Sequence, residues 1–344
     1  MTLKISIGMN LRTGPWGGGN QFGQALSEYL MDKGHQVVFS LNDQDIDIIL
    51  LCEPRKSTAI CAFNHKDILW YLLLKNRNAL VVHRINECDE RKGTTNMNNL
   101  IMNANTCADH TIFISRWLQE LYKSRGMVPV HSNVIMNGAD QKIFNNFQYR
   151  KWNTREPLKV VTHHWGGGGL KGYDIYKKFD EILMDKSMAA GYEFTYIGKL
   201  PKNITFNNSH HIQPLAGVEL ASEIQKHHVY LTASQYEPAG MHHIEGALCG
   251  LPVLYRDTGG AIPEYCHYFG IEFNEENFQE KLHEMTEKYE CWVKRMESYP
   301  YTAEKMCHEY LTLFNHMVRN REEYLQSRTW LKNPFCLLKN IVMS

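Results

Sequence analysis

The feature that most constrains this chain is a strand-helix-strand pattern over residues 229–264, VYLTASQYEPAGMHHIEGALCGLPVLYRDTGGAIPE. Residues 229–233 are a short apolar run with no polar alternation, as required of a parallel strand covered on both faces. From position 239 on, Met241, Ile244, Ala247 and Leu248 recur at spacings of three, three and one, which marks one face of a helix. Gly250 and Pro252 end that helix, and 253–255 begin the next strand. Such a unit needs further strands beside it and helices on both faces, so the chain is read as α/β with right-handed crossovers.

Two of this unit's carboxylates stand at the end of the first strand and on the helix. Glu237 falls at the carboxyl end of the first strand, and Glu245, eight residues later, about two turns along. Ligands of open α/β sheets bind beyond the carboxyl ends of the strands, and free amides at a helix start attract phosphate by roughly 0.3 to 2 kcal/mol. A phosphorylated ligand over 238–241 would leave Glu237 near its distal part. Glu245 could accept from both hydroxyls of a sugar diol, because an ionised carboxylate only accepts hydrogen bonds.

The rest of the chain repeats the pattern. A strand at 4–9, a glycine-rich loop at 14–19 and a helix over 21–33 capped by Asn20 are expected, then strands at 36–40, 47–52 and 79–83. Further strands fall at 109–115, 158–162, 193–197 and 210–215, with helices over 116–123 and 220–227. Beyond Glu264 the chain reads as helical and charged, over 278–296, 303–319 and 322–338. A polar linker at 145–157 separates two halves, a number that 344 residues can support with a core in each. The glycine spacing at 14–19 does not fit the dinucleotide fingerprint, and Lys171 is followed by Gly172 rather than Ser or Thr, so a nucleotide-triphosphatase loop is excluded.

Lys plus Arg equals Asp plus Glu, 37 against 37, which argues against broad nucleic-acid binding. Nine cysteines without a C-x-x-C pair read as reduced thiols of a cytoplasmic protein. No signal-type or membrane-spanning apolar run is present, so at most peripheral membrane contact is expected. Adjacent histidines at 163/164, 210/211, 227/228 and 242/243 invite a metal reading, but neighbouring side chains diverge and no ligand spacing is met, so no metal is expected.

Glu237-Pro-Ala-Gly-Met-His-His-Ile-Glu245, followed in register by GLPV, Gly259-Gly260 and Pro263-Glu264, resembles the donor site of retaining glycosyltransferases of family 4. VIMNGADQKIF at 134–144 is similar to the element that closes their N-terminal domain. The resemblance implies the GT-B fold: two Rossmann-like domains with parallel sheets facing a central cleft and a C-terminal helix crossing back to the first domain. The boundaries expected are 1–150 for the acceptor-side domain, 151–310 for the donor domain and 311–344 for the returning helical segment. It also implies roles. Glu237, His83 and Lys171 become candidate catalytic residues; Gly18, Gly19, Lys171, Gly240, Met241, His242 and Glu245 become candidate donor contacts. Glu237 would hold the hydroxyls of the transferring sugar, Glu245 the ribose and Lys171 the diphosphate, while Gly18-Gly19 would bring backbone to the diphosphate from the first domain. His83 would face the sugar from the first domain.

Plainer readings stand beside these: a flexible turn for Gly18-Gly19, and a hydrogen-bonded structural residue for His83. Asn86, Asp89, Glu90 and Arg91 could shape the acceptor side. The family usually has an arginine several positions before the lysine; His163, His164 and Trp165 occupy that place here. The last residues, WLKNPFCLLKNIVMS, read either as a packing surface or as a weak interfacial segment. The activity implied is metal-independent transfer, without a cofactor, of a sugar from a nucleotide-diphosphate sugar to a carbohydrate, lipid-linked or other hydroxyl acceptor. The alternatives are a catalytically silent nucleotide-sugar-binding protein and a sugar-nucleotide epimerase on the same fold.

Overall fold

The computed structural model describes residues 1–12, 17–166 and 168–328. The chain divides into two units, Met1–Asn137 joined by the described residues from Ala303 on, and Gly138–Thr302. Each is built on a six-stranded, all-parallel sheet. The first holds β1 (Lys4–Ile7), β2 (Gln36–Val38), β3 (Ile48–Leu51), β4 (Leu80–Ile85), β5 (His110–Phe113) and β6 (Ser132–Val134), in the order β2-β1-β3-β4-β5-β6. The second holds β7 (Leu158–His164), β8 (Tyr192–Gly198), β9 (His210–Ile212), β10 (Val229–Thr232), β11 (Val253–Arg256) and β12 (Gly270–Phe273), in the order β12-β11-β10-β7-β8-β9. The central strands are buried on both faces, which is why their sequences run apolar without alternation.

In the first unit the apolar stripe of helix Gly18–Asp32, with Phe22, Leu26 and Leu30 buried, packs against helix Ala303–Arg319. Phe22 and Tyr310 meet with ring centroids 5.2 Å apart. Each such side chain removed from water stabilises by about 1.5 to 3 kcal/mol, so this stripe holds the returning C-terminal helix on the first unit. Arg328 closes the contact: its Nε donates to Asp109 Oδ1 at 2.6 Å and its Nη1 to the Arg77 carbonyl at 2.7 Å. The second unit has its own core, in which Tyr176, Phe179 and Phe278 pack with Phe194 of β8 and the apolar residues of β7 and β10.

Several local expectations are revised. Asn20 does not cap the first helix, which begins at Gly18 with Gly17 in the cap position. Its amide instead spans Arg12, accepting from the Arg12 N–H and donating to its carbonyl, both at 2.9 Å. Helix His65–Leu74 escapes a periodicity reading because HKDILWYLLL is apolar almost all round. Its start was nonetheless marked by a capping box between Asn64 and Asp67. The stretch read as one helix over 278–296 is two, Phe278–Glu287 and Tyr289–Met296, and strand β12 lies in the region read as helical. The expected helix over 322–338 is present as Arg321–Gln326 and ends at Ser327; positions 329–338, residues 13–16 of the glycine-rich loop and the apolar stretch from 330 on lie outside the described residues.

Candidate active site

In the second unit β7 and β10 are neighbours from which the chain departs in opposite directions, to β8 on one side and β11 on the other. That is the switch point where open α/β sheets leave a crevice beyond the strand ends. His163 and His164 end β7, and Ser234 to Glu237 follow β10.

The backbone here is tightly held. Gly172, with φ +84°, lies where an added Cβ would be 2.3 Å from the Ala233 carbonyl oxygen, so only glycine lets the Lys171 turn pack on the end of β10. Gln235 N–H donates to the Leu170 carbonyl at 2.9 Å. On the other side Gly260, φ +95°, pairs in parallel with Glu237, and a Cβ there would lie 2.6 Å from the Glu237 nitrogen. Between these supports Tyr236 adopts a left-handed φ of +50°, unusual for a side chain of its size. The result brings Lys171 Nζ to 3.2 Å from Glu237 Oε2, with both side chains largely buried.

Helix Met241–Leu248 starts at Gly240 with no side-chain cap, so its first amides point beyond the strand ends. Glu245, on the same helix, is buried, and its Oε2 lies 2.7 Å from His163 Nε2. The far side of the ring meets Tyr230. Tyr230 Oη accepts from the His163 backbone N–H at 3.1 Å and lies 3.0 Å from Nδ1. Burial holds the Tyr230 phenol well above its usual pKa, so it keeps its proton. An ionised carboxylate only accepts, so Nε2 carries a hydrogen and gives it to Glu245 Oε2, leaving Oε1 outside that bond.

The remaining histidines pack inward. His164 Nε2 is 2.7 Å from Tyr176 Oη, and His242 Nε2 is 2.8 Å from Thr232 Oγ1. Burial, with neighbouring positive charge, holds His242 well below the usual histidine range, so its imidazole is neutral. His243 is fully buried and pushed down to about 3 by burial; among the described residues neither of its ring nitrogens has a hydrogen-bond partner. Arg256, which ends β11, is tied to Asp174 at 2.6 Å and Glu275 at 3.3 Å. Among the described residues no three His, Cys, Asp or Glu side chains are grouped so as to hold a metal ion.

In the first unit Gly18 and Gly19 open helix Gly18–Asp32, which likewise has no side-chain cap, and a Cβ at Gly19 would meet nothing within 4 Å. Packing therefore does not demand glycine at that position. His83 is buried in β4, paired with Leu51 of β3, and lines a pocket at the carboxyl ends of these strands. Its Nδ1 is 2.9 Å from Asn105 Oδ1, an oxygen that also accepts from Thr111. An amide oxygen only accepts, so Nδ1 carries the hydrogen and Nε2 is left as an acceptor. Burial pushes His83 down to about 4, so the ring is neutral at pH 7. Asn86 and Glu87 line the same pocket, whereas Asp89 and Glu90 serve the local fold: Asp89 accepts from the Met97 and Asn98 amides at 2.8 and 2.9 Å, and Glu90 pairs with Arg125.

The candidate residues thus form two groups. Lys171, Glu237, Gly240, Met241, His242 and Glu245 converge at the β7/β10 switch point; Gly18, Gly19 and His83 lie at strand ends of the first unit. The contact of His163 with Glu245 was not anticipated. Its one signal was the histidine pair standing where an arginine was expected.

No protein-family model matches the sequence, and no curated protein matches it by sequence either. Solved structures do match. A glycosyltransferase from Rickettsia africae is similar over 93% of this chain and 99% of its own, with a TM-score of 0.65 at 12% identity. The catalytic domain of starch synthase IV from Arabidopsis thaliana, bound to ADP and acarbose, covers 92% of this chain and 99% of its own at a TM-score of 0.67 and 12% identity. HepE from Anabaena in complex with UDP-glucose is similar over 93% and 99%, with a TM-score of 0.59 at 14% identity. At these identities the likeness is one of fold: the two α/β units match those of GT-B glycosyltransferases.

Proposed function

We propose that the protein is a retaining glycosyltransferase of the family-4 type, moving a sugar from a nucleotide-diphosphate sugar to a hydroxyl acceptor without a metal ion. The observation that carries this reading is the Lys171–Glu237 pair beside the uncapped start of helix Met241–Leu248, with Glu245 on that same helix. The diphosphate lies against the helix amides and Lys171, which meet the charge that grows as the bond from the anomeric carbon to the diphosphate oxygen breaks. The electron pair leaves with the nucleoside diphosphate, the acceptor oxygen takes its place at the anomeric carbon, and the acceptor proton is released. Glu237 accepts from sugar hydroxyls, Glu245 uses Oε1 for the ribose diol while His163 holds Oε2, and His83 offers a neutral Nε2 to a sugar hydroxyl. Gly18 and Gly19 add backbone amides toward the diphosphate.

One observation favours a second reading, nucleotide-sugar binding without transfer: His163 is engaged by Glu245 and His164 by Tyr176 where the family has a phosphate-facing arginine. Incubation with UDP-, GDP- and ADP-sugars and a panel of acceptors, followed by NMR of the anomeric proton, separates the readings. Acceptor-dependent consumption with unchanged anomeric configuration is expected. Inversion would refute retention, conversion of the donor alone would mark an epimerase, and binding without consumption would establish the second reading. In each transfer assay Glu237→Ala is expected to abolish product while leaving the fold intact.

A further inference from the structure

The first unit holds a buried cation that is paired with no carboxylate among the described residues. Arg84 stands next to the end of β4, 2% exposed, with its guanidinium 3.8 Å from the centroid of the Phe22 ring. Its Nη2 donates to Asn137 Oδ1 at 3.0 Å, a neutral acceptor, and its Nε has no hydrogen-bond partner among the described residues. It lines the pocket at the carboxyl ends of β3 and β4 together with Cys52, Glu53, Arg55, His83 and Glu87.

None of these neighbours balances it. Glu53 is taken by Arg55, through bonds of 2.7 Å to Nε and 2.6 Å to Nη2. Glu87 is paired with Lys92 at 2.8 Å. Burial pushes the Cys52 thiol up to about 12 despite Arg84 beside it, so it is not a thiolate at neutral pH. The Tyr310 phenol is likewise raised by burial and stays neutral. An ionised guanidinium out of water is costly unless hydrogen-bonded to an anion, and Arg cannot relieve the cost by losing its proton. Arg328, in the same unit, shows the usual solution, a buried arginine fixed on Asp109.

We propose that Arg84 is the anion-binding residue of an acceptor subsite in this pocket, and that the acceptor carries an oxyanion, as a sugar phosphate or a sugar carboxylate. This rests on the transferase reading for the word acceptor, whereas the anion site itself does not. The pocket carries one positive charge beyond its paired groups, and the fork geometry of a guanidinium matches two oxygens of a phosphate or carboxylate.

The test titrates the full chain, labelled with nitrogen-15 in arginine, with inorganic phosphate and separately with acetate, following the Arg84 Nε–H signal identified by its loss in Arg84→Gln. A saturable shift is expected with at least one anion, and the anion that shifts it more distinguishes a phosphate from a carboxylate acceptor. Calorimetry should show that anion bound about tenfold or more weakly by Arg84→Gln and at intermediate strength by Arg84→Lys, which keeps the charge without the fork. A signal that does not move, or binding equal in wild type and Arg84→Gln, overturns the proposal. UDP, GDP and ADP titrated into the same samples separate the two claims. Nucleotide binding with a silent Arg84 refutes the anion site alone, and a shifting Arg84 without binding of any nucleotide refutes the transferase reading alone.

Discussion

The two units place their charges differently. At the β7/β10 switch point every charged group of the candidate site faces a partner: Lys171 faces Glu237, and Glu245 accepts from His163. At the β3/β4 strand ends Glu53 and Glu87 are paired, while Arg84, among the described residues, meets neutral groups: the amide of Asn137, the Phe22 ring and the Tyr310 phenol. A site whose charges are mutually satisfied binds ligand by exchanging partners, so its contacts must be released as new ones form. A site with one buried, uncompensated charge is instead poised for the missing sign.

The largest expected effect concerns buried arginines. Asp109→Ala leaves Arg328 without its carboxylate and should destabilise the protein by about 3 to 5 kcal/mol in denaturant unfolding. Arg84→Met removes a cation that has no carboxylate and should cost under about 1 kcal/mol. Equal losses in the two variants would mean that Arg84 is compensated after all, and the contrast between the units would collapse.

Lys171→Met probes the paired site. It should lower the transfer rate by about 100- to 1000-fold, because a positioned charge facing the departing diphosphate acts mainly in the transition state. Steady-state kinetics with an unchanged rate would remove Lys171 from the chemistry.

Acid should weaken both units. Burial pushes His65, His83 and His110 to about 4 in the first, and His227 and His228 to about 4 with His243 to about 3 in the second. An unfolded histidine titrates near 6.5, so between pH 6.5 and 4 the unfolded chain binds protons that the fold refuses. Their contribution is fully present above pH 6.5 and is lost as the pH falls toward 4, by about 1.4 kcal/mol per pH unit for each such group. Urea midpoints measured from pH 7.5 to 4.5 should fall accordingly, and a flat profile would show that these rings protonate in place.

The smallest effect is expected at His243, whose ring nitrogens are buried without hydrogen-bond partners. His243→Phe should change stability at pH 7 by no more than about 1 kcal/mol and flatten the acid loss, since it removes a buried titrating group. An acid loss as large in this variant as in wild type would assign that dependence to the other histidines.

The second unit was far more legible in the sequence than the first. Its strand-helix-strand pattern, Glu237, Glu245 and the glycines at 172 and 260 form one local stretch plus one short loop, and backbone close approach explains those glycines. The pairing of His163 with Glu245 was not legible, because it joins residues 82 positions apart whose meeting depends on strand order. In the first unit helix His65–Leu74, apolar almost all round after its first turn, gave no period to detect, and the four residues of β12 in the second were too few to stand out from helical neighbours. Arg84 was passed over because a single arginine beside a histidine carries no motif. Its significance lies in which groups it fails to meet, and only side-chain geometry reveals that.

A nucleotide-sugar site at the β7/β10 switch point is tested most directly by calorimetric titration of the purified chain with UDP, GDP and ADP, repeated on Glu245→Ala. One nucleotide should bind the wild-type protein, and the variant should bind it more weakly by about 1.5 to 3 kcal/mol, the worth of hydrogen bonds to a charged group. Folded wild-type protein that binds none of the three, or Glu245→Ala that binds as tightly as wild type, would contradict the account.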